Sequence, residues 1–117
     1  MKKVLLAVAK ALALDFERLL AKEGFTVLKA ENGQELLDLA REERPDLIIL
    51  ERNLPVLDGL SAVLLLKNDK TTRNIPIVVV CEKKHDQEEQ ALDAGCDAYL
   101  TRPLKPDKIR AVLKEFV

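Results

Sequence analysis

Five apolar runs, Val4–Val8, Phe25–Ala30, Leu47–Leu50, Ile75–Val80 and Ala98–Leu100, alternate along the chain with longer segments of helical period. Leu47-Ile48-Ile49-Leu50 and Ile77-Val78-Val79-Val80 are apolar at successive positions rather than at every second one. A strand wetted on one face alternates. A continuous apolar run belongs to a strand buried on both faces, so helices must cover both sides of the sheet. Strict strand–helix alternation then calls for right-handed crossovers and a parallel sheet. The expectation is an α/β fold, one domain over residues 1–117.

The intervening segments carry helix signals. Leu12, Phe16, Leu19 and Leu20 share one face of the first, and Gly24 ends it. Asn32 caps the second, with Glu35 placed as a capping-box partner and Pro45 beyond its end. The third is expected from Asp58-Gly59, the fourth from near Asp86, and the last after Pro106-Asp107. In the third, Leu60, Val63 and Leu66 define the inward stripe, which throws Leu65 to the opposite face and Leu64 to its flank. These two leucines are a candidate contact for a partner or a second copy, set against the ordinary occurrence of scattered surface leucines.

Charge and composition exclude whole classes of function. The chain has 20 acidic and 19 basic residues, a formal net charge of −1, which argues against a basic nucleic-acid surface or a polybasic membrane anchor. Aromatics are only 3%, too few for a base-stacking platform. The apolar runs are too short to span a bilayer. Met1-Lys2-Lys3 before Val4–Ala9 is similar to the start of a signal peptide, but Lys10 breaks the run and no cleavage site follows. Cys81 and Cys96 lack metal-ligand spacing and suit a reducing compartment. His85 stands alone in a polar segment, so neither a metal cluster nor a Cys-His nucleophile is built around it. A cytoplasmic domain is expected.

In open parallel sheets the working site lies at the carboxyl ends of the strands, beside the switch in strand order. The residues to interrogate are therefore Val8-Ala9-Lys10, Glu51-Arg52-Asn53, Cys81-Glu82 and Thr101-Arg102-Pro103. No glycine-rich phosphate loop follows the first run, which leaves a nucleotide-binding reading without support.

At these positions the sequence resembles a response-regulator receiver domain of two-component signalling, and the likeness covers essentially the whole chain. It rests on RPDLIILERNLPVLDGL, the IPIVVV strand, ALDAGCDAYLTRPL and a closing amphipathic helix. Receivers carry Asp-x-Asn-x-Pro-x-x-Asp-Gly at the third strand, and residues 51–59 match it except that Glu51 stands for the first Asp. The resemblance implies a flavodoxin-like (βα)5 sandwich of three layers with strand order 2-1-3-4-5. It also implies phosphoryl transfer from a kinase histidine to an Asp, with magnesium held by that Asp and an acid pair ending the first strand. A Thr or Ser ending the fourth strand and a Lys ending the fifth complete the family's pocket.

Each of those positions has changed. The acid pair falls on Val8 and Ala9, with Lys10 next, and no Asp or Glu occurs before Asp15. The acceptor is Glu51, followed by Asn53. Cys81 takes the Thr/Ser position and Arg102 the Lys position. Tyr99, by resemblance the aromatic that reports site occupancy, is present. Val8, Ala9, Lys10, Glu51, Asn53, Cys81 and Arg102 thus form a degenerate phosphoacceptor pocket, with no catalytic residue, no cofactor and no magnesium site expected.

Three readings of Glu51 stand side by side: a shifted acceptor, a mimic of a phosphorylated Asp, and a carboxylate neutralised in a retired site. The last is expected to take the form of a Glu51–Arg102 bridge, with Lys10 as a possible third member, because a guanidinium grips a carboxylate bidentately. An Arg102 pointing into solvent is the alternative. Cys81 is either a redox-sensitive thiol beside Lys83 and Lys84 or a small buried hydrophobe. Asp58 is expected to cap the third helix.

The function expected is that of a stand-alone pseudo-receiver acting through protein contacts, with a sensor kinase or downstream effector as partner. By resemblance the output surface takes in Asp86–Asp93, Tyr99, Lys105 and Lys108. The chain is expected as a monomer or weak homodimer, without nucleic acid or membrane. The alternatives are a phosphorelay acceptor using Glu51 and, of another class, a thiol sensor using Cys81.

Overall fold

A computed structural model describes residues 2–81, 88–102 and 104–117. Within them, five strands and five helices alternate: β1 (Lys3–Ala7), α1 (Lys10–Lys22), β2 (Thr26–Lys29), α2 (Gly33–Glu43), β3 (Leu47–Glu51), α3 (Gly59–Asn68), β4 (Ile77–Cys81), α4 (Glu88–Ala94), β5 (Ala98–Thr101) and α5 (Pro106–Phe116). The strands form one parallel sheet in the order β2-β1-β3-β4-β5. This is the flavodoxin-like topology that the resemblance implied.

The continuous apolar runs have the expected cause. Val4, Leu6, Leu47, Ile49, Val78 and Val80 point to one face, where Leu12, Phe16, Leu20, Ile109, Val112 and Leu113 of α1 and α5 cover them. Leu5, Ala7, Ile48, Leu50, Ile77 and Val79 point to the other face, beneath Leu36, Leu37, Ala40, Val63, Leu66 and Ala91 of α2, α3 and α4. In the central strands β1, β3 and β4, the apolar residues therefore meet a helix whichever way they point.

The strand ends differ from the sequence reading by a residue or two. β1 closes at Ala7, leaving Val8 in the following loop, whereas β3, β4 and β5 run one residue further, to Glu51, Cys81 and Thr101. Polar Glu51 and Thr101 hid those last rungs. β4 starts at Ile77 because Pro76 has no N–H to give a ladder. The start near Asp86 expected for α4 lies outside the described residues, and so does most of the polar segment that contains His85 and Glu82.

The helix ends follow local chemistry. At the end of α1, Phe25 N–H donates to Leu20 O (2.9 Å) and Gly24 N–H to Ala21 O (3.0 Å), with Gly24 at φ +87°. That is the paired closure a left-handed glycine permits. Asn32 caps α2 by accepting from Glu35 N–H (2.8 Å), but Glu35 returns its own bond to Glu31 N–H (3.1 Å) instead of to the cap. Asp58 caps α3 as expected, accepting from Ser61 N–H (3.1 Å) and Ser61 Oγ–H (2.9 Å). Val63 and Leu66 are buried, with Gly59 and Ala62 beside them, while Leu60 is only half-buried. Leu64 and Leu65 stand outside that stripe, 47% and 46% exposed.

Candidate functional site

β1 pairs with β2 on one side and β3 on the other, so the chain reverses its direction of travel across the sheet at β1. An open groove of about 1040 Å³ lies above this switch. Its walls are the loop after β1 and the start of α1, the end of β2 with the first turn of α2, and the segment after β3. Parallel α/β sheets place their sites at such a crevice.

The groove brings together Val8, Ala9, Lys10, Glu51 and Asn53. Cys81 and Arg102 do not line it: Cys81 ends β4, half-buried, and Arg102 follows β5, exposed. The anticipated Glu51–Arg102 bridge is not among the ion pairs of the described residues. Instead Glu51 Oε1 accepts the backbone N–H of Ala9 at 2.9 Å. A main-chain donor satisfies the carboxylate at lower cost in side-chain ordering than a second charged side chain would.

Several determinants of the site carry no side-chain signal. The loop from Arg52 to Asp58 is clamped between two glycines. A Cβ at Gly59 would lie 2.3 Å from Glu51 O, and one at Gly33 only 1.9 Å from Leu57 O. Gly59 N–H donates to Arg52 O (2.7 Å) and Gly33 N–H to Pro55 O (3.2 Å). Only a residue without a side chain lets the starts of α2 and α3 approach this closely. Held in this way, the loop puts Val56 at φ +70°, a conformation that a β-branched residue rarely adopts, and leaves its side chain 82% exposed.

Arg52, singled out only as a neighbour of Glu51, turns away from the groove. Its Nη2 donates to Gln90 Oε1 of α4 at 3.1 Å, and its Nη1 is buried without a hydrogen-bond partner among the described residues. Hydrogen bonds from the Ser61 backbone and side chain hold the Asp58 carboxyl below its ordinary range, and the Arg52 charge adds to that.

The magnesium ion that the resemblance implies needs several hard oxygen ligands converging in near-octahedral array. At the end of β1, Val8, Ala9 and Lys10 offer none from their side chains. Among the described residues no three Asp, Glu, His or Cys side chains come together as a metal-binding set. Among the described residues of the acceptor positions, Val8, Ala9, Lys10, Glu51, Asn53, Cys81 and Arg102, Glu51 is the one carboxylate, and one of its oxygens accepts from Ala9 N–H. The donors that the described residues offer here do not fit the ion. Glu17, Glu31 and Glu35 also line the groove, and Glu17 pairs with Lys29 at 2.8 Å.

Tyr99 lies in β5 and packs, partly buried, against the core on the α2–α4 face. Lys105 and Lys108, at the start of α5, are exposed. No helix among the described residues is long and apolar enough to cross a membrane.

Comparison with known proteins agrees with the geometry. Residues 9–114 match the response regulator receiver domain family. The polar-differentiation response regulator DivK of Brucella anthropi is 35% identical over 103 residues, covering 87% of this chain and 84% of its own. The receiver domain of a Pseudomonas aeruginosa sensor histidine kinase, solved with magnesium coordinated in its active-site cleft, superposes with a TM-score of 0.90 at 26% identity. The alignment covers 98% of this chain and 96% of that one. The chemotaxis response regulator CheY4 of Vibrio cholerae gives 0.89 at 25% identity, over 100% and 99% of the two chains. The family match, the DivK relationship and the five-stranded topology lead to one conclusion: the chain belongs to the response-regulator receiver domain family.

Proposed function

We propose that this receiver domain signals through protein contacts without forming an acyl phosphate. The observation that carries the proposal is the state of the acceptor position. Glu51 stands where the family has Asp, its carboxylate is bonded to Ala9 N–H, and the end of β1 supplies no acid beside it. In-line phosphoryl transfer depends on positioning and on cation neutralisation of the gathered negative charge. A carboxylate one C–C bond longer than Asp, about 1.5 Å, and lacking a metal-holding pair meets neither condition. Regulation then falls to occupancy by a protein partner, of the kind that receivers meet in sensor kinases and effectors. We place the partner surface on the exposed positions, with Lys105 and Lys108 of α5 and Leu64 and Leu65 of α3 as candidates. A monomer or weak homodimer in the cytoplasm, without nucleic acid, fits the balanced charge.

Intact-mass measurement after incubation with magnesium and acetyl phosphate tests this directly, with Glu51→Gln as control. The expected spectrum is unchanged in both proteins. A phosphoryl adduct on the wild type that disappears in the control would overturn the proposal and leave the Glu51 phosphorelay reading standing. A second reading, thiol sensing at Cys81, has only the half-exposure of that residue in its favour.

A further inference from the structure

We infer that Glu51 serves as the N-terminal cap of α1, supplied from β3 across the sheet, and that the chain requires a glutamate here for its length. The first turn of a helix presents N–H groups without intrahelical acceptors, and its positive dipole end favours an acid. α1 has neither remedy of its own. Its N-cap, Ala9, has no side-chain acceptor, its first turn holds no acidic residue, and its first helical residue is Lys10, a charge of the wrong sign. In a local capping box, a carboxylate three residues into the helix accepts the N–H of the N-cap; here that position is Leu12. The same N–H is met by Glu51 Oε1 at 2.9 Å, from 42 residues away in sequence.

The sheet register explains why the side chain must be long. Ala7 of β1 lies opposite Leu50 of β3, so Glu51 is level with Val8 and Ala9 lies one step beyond. The extra methylene of glutamate lengthens its reach toward that step. An aspartate would end about 1.5 Å short and leave the bond open. Glu51 thereby sets the start of α1, and with it the groove wall made by Lys10, Ala13 and Leu14. The capping role stands whether or not Glu51 also accepts a phosphoryl group, and the two are read by different measurements.

The test measures amide hydrogen exchange at Ala9, together with thermal denaturation, in Glu51→Gln, Glu51→Asp, Glu51→Ala and the double variant Glu51→Ala/Ala9→Asp. Glutamine keeps an acceptor oxygen at the same reach, so Ala9 exchange should stay within about threefold of wild type. Aspartate and alanine should each speed it about tenfold, the worth of one charge-assisted hydrogen bond. Ala9→Asp supplies a local cap acceptor, so it should recover at least half of the melting temperature lost in Glu51→Ala. Ala9 protection in Glu51→Asp equal to wild type would overturn the length requirement. Failure of the double variant to recover any of the loss would overturn the capping role, including in the case where Glu51→Asp does not fold.

Discussion

Val56 is the residue at which the chain and its local preference disagree most. A valine at φ +70° brings its branched Cβ against its own backbone, a cost of about 1–3 kcal/mol, and its exposed side chain recovers almost nothing by burial. Glycine at that position would relieve the strain and surrender about 0.5–1 kcal/mol in backbone entropy. Val56→Gly should therefore gain about 1 kcal/mol in urea denaturation, whereas Val56→Ala, still a side chain at positive φ, should stay close to wild type. No sequence pattern announces this strain. It arises where Gly33, distant in sequence, and Gly59 hold the loop through close backbone approaches. The acceptor position was legible only in part, for a related reason. Glu51 could be placed at the end of β3 from the motif that follows it, but its partner is a main-chain N–H, which every residue but proline carries and no sequence distinguishes. Reading charges alone led to Arg102, which the structure leaves exposed at the end of β5.

The elements themselves were readable from their apolar pattern, and several helices also from their ends. Gly24 closing α1 and Asn32 and Asp58 opening α2 and α3 act as their residue types predict, since a cap needs only its immediate neighbours. How closely one backbone approaches another was not readable, and Gly33 shows the difference. Within a helix, alanine is favoured over glycine by about 1 kcal/mol, so Gly33→Ala looks stabilising from the sequence of α2. Its Cβ would instead sit 1.9 Å from the Leu57 carbonyl oxygen, and one of the two backbones must move. The expected result is a net loss of about 1–3 kcal/mol by urea denaturation. Amide shifts should change at Pro55's neighbours, Leu54 and Val56, as well as within α2. Stabilisation of the variant would overturn the close approach of α2 to this loop.

At the scale of the whole molecule, the two ends of the sheet divide the work. The carboxyl ends hold the groove, with its exposed polar residues and strained loop, while the amino ends are tied by charge-assisted bonds. Lys67 Nζ donates to Asp97 Oδ2 (2.9 Å) and Ile75 O (3.0 Å), and Asp97 Oδ2 also accepts Ile77 N–H (2.8 Å), joining α3, β4 and β5. Asp46 Oδ2 likewise accepts Lys3 N–H at the start of β1 (2.8 Å). Asp69, closing α3, belongs to the same end, and its carboxyl lies at about 2, below the ordinary 3.8. The first cause is the Thr71 backbone N–H, followed by the Thr71 hydroxyl and then Arg41. A folded-state value depressed in this way gives stability that is fully present above the unfolded value near 3.8 and is lost as pH falls toward 2. Melting temperature should accordingly fall across that window, and Asp69→Asn should flatten the fall, at the expense of a lower melting temperature at neutral pH. Because the leading cause is a local N–H rather than the exposed Arg41 pair, high salt should leave most of the slope intact. A slope abolished by salt in the wild type would instead assign the shift to the ion pair and make the α2–α3 contact, not the turn after α3, the acid-sensitive tie.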